Sequence, residues 1–303
     1  MKPIAPKSLP VEIRVERGVL KKAGSLLSGG GKRRFLLLSD TPTDDPALAL
    51  TVDALQKAGH TVVRIPDDED YPRYPDDVDA ILAVGDLGKI GPAVCLAESS
   101  YPDLPCVLVP SSREAQFDFP FCNAPSLVLC DPSLPVSDAD RKRATVELIR
   151  YAVGFDPSLF DLLYTDFDFG ALLRRCLTIR CDLLDADKTD LFDRLGTVIG
   201  RAVGRATDGE TDPAEQLAIG LAAATRYALK IGYCRRDFLS ELVGLLTYHG
   251  LPNSALVSDD ELIAAIKENT RAEGKNEISL PRRLGECGLV GFDPDDLTGL
   301  LPN

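Results

Sequence analysis

Six short runs of nearly unbroken aliphatic residues punctuate the first 130 positions: "VEIRVERG", "RFLLLSD", "TVVRIPD", "VDAILAVGD", "PCVLVPSS" and "PSLVLCD". A strand with one wet face alternates apolar and polar residues, whereas runs this dense belong to a sheet covered on both faces, the habit of parallel sheets. Most of the runs end in Ser, Asp or Gly, residues that turn the chain at a strand's carboxyl end, where ligands of such sheets bind. Between the second and third runs, "DPALALTVDALQKAGH" has apolar residues at helical spacing, an Asp-Pro start and a Gly stop, and reads as a crossover helix.

After residue 131 the period changes from strand to helix. "DADRKRATVELIRYAVGF", "FGALLRRCLTIRCDLLDA", "LFDRLGTVIGRAVGRA", "DPAEQLAIGLAAATRYALKIG", "RRDFLSELVGLLTYHG" and "SDDELIAAIKENTRAEG" all carry helical periodicity, and the next strand-like run is the short "EISLP". The pattern predicts an α/β, Rossmann-like parallel-sheet domain over residues 1–130 and an all-α helical domain over 131–303. One stretch conflicts with its own period. "RLGTVIGRAVGRA" places Gly196, Gly200 and Gly204 at every fourth position, and each interior glycine costs a helix about 1 kcal/mol relative to alanine. Either close backbone packing or a ligand site must offset that cost.

Charge narrows the partners. Forty-seven acidic against 34 basic residues leave a net charge of -13, which repels phosphate backbones and anionic membrane surfaces, and no basic stripe interleaves with aromatics. The N-terminus lacks an apolar core of signal-peptide length, and the apolar runs are too short to span a bilayer, so a cytoplasmic protein is expected. The eight cysteines form no CxxC pair and read as reduced, mostly buried thiols. Only two histidines occur, His60 and His249, each next to a helix stop, so imidazole chemistry has few candidates.

The ordered set "VPSSREAQFD", "PSLVLCDPSLP", "VELIRYAVGFDPSLF", "RLGTVIGRAVG", "AEQLAIGLAAA" and "ISLPRRLGE" resembles 3-dehydroquinate synthase and its sugar-phosphate cyclase relatives over nearly the whole chain. The resemblance implies an NAD-bound α/β domain and a helical domain with zinc or cobalt, acting on a heptulosonate phosphate in the shikimate pathway. It further implies a homodimer. Carried onto this sequence, it assigns Glu147 to the metal, Asp40, Gly85, Ser111 and Ser112 to the cofactor, and Asp118 and Arg150 to the substrate.

The same alignment exposes departures. Thr197 and Arg201 stand where the family has histidines, and Pro213 replaces another histidine, so two of three zinc ligands are missing. In "AVGDLGKIGPA", Gly85 matches the nucleotide loop, but Asp86 and Leu87 replace its next two glycines and Gly91 replaces an aspartate. An aspartate beside a pyrophosphate is repulsive. Arg150 replaces a lysine, Pro72 falls near another, and the loop between Asp118 and "PSLVLCD" is shortened to "FPFCNA". Gly196 and Gly200 match family glycines that bring helices together. The sequence therefore predicts a divergent homologue without zinc- and NAD-dependent cyclisation, acting in binding, regulation or assembly. The alternative is an active cyclase or lyase with an altered metal site, in which Glu147, Asp187, Asp193, Asp212 and Glu215 offer oxygen ligands and Arg150 and Arg201 hold a phosphorylated sugar or nucleotide.

Overall fold

Each of the six aliphatic runs becomes a strand. The computed structural model describes all residues except 1, 40, 43, 65–74, 76, 122–124, 275 and 303. Strands β1 (Glu12–Val15), β2 (Arg34–Leu38), β3 (Thr61–Arg64), β4 (Ala80–Gly85), β5 (Cys106–Pro110) and β6 (Pro125–Cys130) form one sheet in the order β1-β6-β5-β4-β2-β3, every neighbouring pair parallel. Every residue of β4 and β5 is buried, which is what their unbroken apolar composition requires. The helices are α1 (Ala23–Leu27), α2 (Pro46–Lys57), α3 (Leu87–Ser100), α4 (Arg113–Phe117), α5 (Asp138–Gly154), α6 (Ser158–Leu162), α7 (Phe169–Asp185), α8 (Thr189–Asp193), α9 (Thr197–Ala206), α10 (Pro213–Lys230), α11 (Arg236–Tyr248) and α12 (Asp259–Glu273). A hairpin, β7 (Glu277–Arg283) with β8 (Glu286–Gly291), follows α12. Only its first strand was anticipated as "EISLP"; β8, "ECGLVG", has two glycines and half-exposed positions, and its strand character comes from pairing with β7.

Two compact units emerge: residues 1–140 with 168–185, and residues 141–167 with 186–303. In the first, a core of Leu20, Leu27, Phe35, Leu37, Leu48, Leu55, Leu82, Val107 and Leu129 fills one side of the sheet. The Asp45 side chain caps α2 by accepting from the Ala47 and Leu48 amides, with Pro46 at the first helical position. Buried Asp131, just past β6, accepts the Gly18 amide at 2.9 Å and the Ser133 amide at 3.0 Å, which ties the turn after β1 to its neighbouring strand. His60 is buried, its Nδ1 accepting the Arg33 amide and its ring edge-on to Phe35. Among the described residues no helix is long and apolar enough to cross a membrane, and no described cysteine is in a disulfide.

In the second unit α10 is the central helix, buried around most of its circumference by Leu217, Ile219, Leu221, Tyr227 and a run of alanines. The four-residue glycine spacing finds its reason here. The chain breaks at Gly196, which adopts φ 77° between α8 and α9 rather than continuing one helix through "LFDRLGTVIGRA". A Cβ on Gly220 would lie 1.9 Å from the Gly196 carbonyl oxygen and 2.8 Å from the Gly200 nitrogen. One on Gly200 would lie 2.5 Å from the Gln216 carbonyl oxygen. The start of α9 thus meets α10 backbone to backbone, a distance only glycine permits. Gly204 differs, because its added Cβ would meet only the amide end of the Gln216 side chain.

Gly220→Ala should therefore cost about 3 kcal/mol or more through overpacking against immovable backbone, whereas Gly204→Ala should stay within about 1 kcal/mol of the parent because its helix propensity gain offsets a small side-chain shift. Urea denaturation of the two variants measures the contrast; equal losses would remove the backbone-contact explanation.

Candidate functional site

In a parallel sheet wound outward in two directions, ligands settle at the carboxyl ends of the strands flanking the reversal. Here the chain moves outward from β2 to β3, then from β4 through β5 to β6, so the reversal lies between β2 and β4. The described cofactor candidates, Gly85, Ser111 and Ser112, sit on that rim. Asp40, just past β2, lies outside the described residues, as do Pro72 and Cys122. Gly85 ends β4 and its carbonyl accepts the Ser111 amide at 2.8 Å. The glycine-rich segment is no open loop: α3 begins at Leu87 and runs through Gly88, Gly91 and Pro92. Its N-cap is Asp86, whose carboxylate accepts the Gly88 amide at 3.0 Å. Ser112 caps α4 by accepting the Ala115 amide at 3.1 Å.

Asp118, at the end of α4, stands 3.8 Å from the guanidinium of Arg180 on α7. Arg180 is buried, with its guanidinium 5.8 Å from the Phe121 ring. Nearby, the Arg113 guanidinium lies 4.1 Å over the Phe169 ring. Sequence reasoning singled out neither arginine, since both act through aromatic rings far along the chain.

In the second unit the structure brings Glu147 and Arg150 to each other. One turn apart on α5, they are 7 % and 3 % exposed, and Arg150 Nη1 lies 3.4 Å from Glu147 Oε2. The guanidinium also donates through Nη2 to the Phe192 carbonyl and stacks 3.7 Å over the Phe192 ring. Phe192 is the residue the sequence reading missed. It lies 42 positions from Arg150, and "LFDRL" carries no motif that announces an arginine platform. The guanidinium is held by carboxylate, carbonyl and aromatic face together, the three partners that suit a buried arginine.

Thr197 and Pro213, which stand where the resemblance expects metal ligands, have local structural roles. The Thr197 hydroxyl donates to the Asp193 carbonyl, while Pro213 is the first residue of α10. Asp212 caps α10 through the Ala214 amide and pairs with Arg143 at 2.9 Å, and Glu215 pairs with Lys142 at 2.7 Å. Asp187 occupies an exposed turn at φ 55°. Asp193, Thr197 and Arg201 line a cavity of about 190 Å³ with Asp190, Arg194 and Val198. Among the described residues no three His, Cys, Asp or Glu side chains gather to hold a metal ion. A divalent cation does not fit at Glu147: a guanidinium already neutralises its carboxylate and would repel a second cation. Cys287, close to the end of α5 at Gly154, is no substitute ligand, since burial pushes its thiol up to about 11 despite a Ser279 hydrogen bond and the Arg150 charge.

Arg150→Met should leave the Glu147 carboxylate buried without a counter-ion and cost about 3–5 kcal/mol, with much of that recovered in the Glu147→Gln/Arg150→Met double variant; a double-mutant cycle of thermal melts measures the coupling. Asp212 has a pH signature. Burial raises its pKa, but the Arg143 and Ala214 hydrogen bonds outweigh this and leave it below its ordinary 3.8. A depressed carboxyl contributes stability above its unfolded value and loses it as pH falls through the folded one. Between pH 6 and pH 3, on the order of the carboxylate range, the parent should therefore lose more stability than Asp212→Asn.

No family model matches the chain. It is 26% identical over 194 residues to the 3-dehydroquinate synthase of Pelobacter propionicus, covering 58% of this chain and 54% of the relative. The chain spans about half the length of the curated relatives it matches. In fold it is similar to 2-epi-5-epi-valiolone synthase from Streptomyces hygroscopicus subsp. jinggangensis 5008 with NAD+ and Zn2+ bound (TM-score 0.75, 17% identity, covering 95% of this chain and 94% of the other). It is also similar to 2-deoxy-scyllo-inosose synthase complexed with carbaglucose-6-phosphate, NAD+ and Co2+ (TM-score 0.77, 15% identity, 95% of each chain). In sequence the chain is thus similar to 3-dehydroquinate synthases over about half its length, and it shares the fold of the solved sugar-phosphate cyclases.

Proposed function

We propose that this chain is a non-catalytic member of its family, retained for binding or regulation, which does not perform the zinc- and NAD-dependent cyclisation of a heptulosonate phosphate. The observation that carries the reading is the buried Glu147–Arg150 pair. A metal that polarises substrate oxygens needs protein ligands and open coordination positions. Glu147 instead faces a guanidinium anchored on Phe192, and an arginine neither accepts a coordination bond nor gives up its proton near neutral pH. Asp212 and Glu215, the other carboxylates near the replaced histidine position, are engaged by Arg143 and Lys142.

A second reading, an active cyclase or lyase with an altered metal site, is favoured by the cavity in which Asp193 and Arg201 meet, where a hard cation and a phosphate would find opposite charges. The two readings separate in one assay. The purified protein, given heptulosonate phosphate, NAD+ and Zn2+ or Co2+, is expected to release no phosphate above the uncatalysed background, and calorimetry with each metal alone is expected to show no saturable binding. Turnover with either metal would sink the proposal; saturable Mg2+ or Mn2+ binding that is lost in Asp193→Asn would favour the second reading.

A further inference from the structure

The NAD+ carried by both solved relatives poses a test that the first unit answers through its own hydrogen bonds. A dinucleotide at the β2/β4 reversal places its pyrophosphate on the amides that open the following helix, here α3. Those amides attract an anion because they lack intrahelical partners and carry the positive end of the helix dipole. In this chain an anion is already there. The Asp86 carboxylate accepts the Gly88 amide at 3.0 Å, and it is attached to the backbone at the place where the pyrophosphate must come closest.

The rest of the rim is similarly self-satisfied. Past β2, the hydroxyls of Ser39 and Thr41 pair at 2.6 Å, and the Thr41 amide also turns to Ser39. Past β5, the Ser112 hydroxyl takes the Ala115 amide and the Ser111 amide takes the Gly85 carbonyl. A dinucleotide would have to displace these bonds and bring its negative charge against the carboxylate that already holds the Gly88 amide at the start of α3, and like charges repel. The residues present do not fit the pyrophosphate.

We propose that Asp86 is a built-in anion which bars the pyrophosphate of NAD from the start of α3 in this chain. The inference is separable from the lost metal chemistry, because it concerns cofactor binding by the sheet unit and its test contains neither metal nor sugar. Asp86→Ser keeps a helix cap while removing the charge, and Asp86→Gly removes both; thermal melts establish that each variant is folded. Calorimetric titration of the full chain with NAD+, and separately with uncharged adenosine, is the measurement. The parent is expected to show no saturable NAD+ binding up to millimolar cofactor. Both variants are expected to bind NAD+ at least about tenfold more tightly than the parent, a difference of about 1.4 kcal/mol, with adenosine unchanged. Three results would overturn the assignment: micromolar NAD+ binding by the parent, folded variants no better than the parent, or an equal gain for adenosine, which would make Asp86 a steric block rather than a charge.

Discussion

The helical unit is organised by a contact that has no side chains in it. Gly196 and Gly200 at the start of α9 rest against Gly220 on α10 at backbone distance. Because α10 is buried almost all round, this contact sets where the α8–α9 turn leaves the core. That turn carries Phe192 to Arg150 and Thr197 back to the Asp193 carbonyl. The cost of the two helical glycines is small beside the overpacking that any side chain would bring, so the spacing is explained by packing and needs no ligand.

A common electrostatic logic runs through both units: charges that could serve a ligand are neutralised by the chain itself. Arg150 neutralises Glu147, Arg143 holds Asp212, Lys142 holds Glu215, and Asp86 occupies the positive end of α3. Such pairs have opposite consequences at the surface and in the core. Those of Lys142 and Arg143 are half-exposed and contribute little to stability. The Glu147–Arg150 pair is buried, so removing either member strands a charge, even though the pair as a whole adds little over apolar residues of the same shape.

Local pattern carried much of this far. The six strands, the crossover helix α2 with its Asp-Pro start and Gly stop, and α5, α7, α10, α11 and α12 were legible because hydrophobic period and cap chemistry are properties of adjacent residues. The break at Gly196 was not, since a left-handed residue inside a helical pattern is revealed only by what it packs against. Neither was β8, whose weak composition becomes a strand only opposite β7. The departures at Asp86, Thr197, Arg201 and Pro213 were visible as letters, but a letter shows only that an expected ligand is missing. It does not show which bond took its place.

By itself, the sequence determined the fold class, the change from strand to helix near residue 131, the net negative charge and the presence of Thr197, Arg201 and Pro213 rather than histidine at those positions. These follow from composition and from periods of two to four residues, which any short window contains. Tertiary structure alone decided that Arg150 would rest on Phe192 beside Glu147, that Asp86 would close its own helix, and that three glycines would meet backbone to backbone. The physical reason is range. Buried ion pairs and helix contacts depend on distances of a few ångströms between residues far apart in the chain, and only the folded core sets those distances.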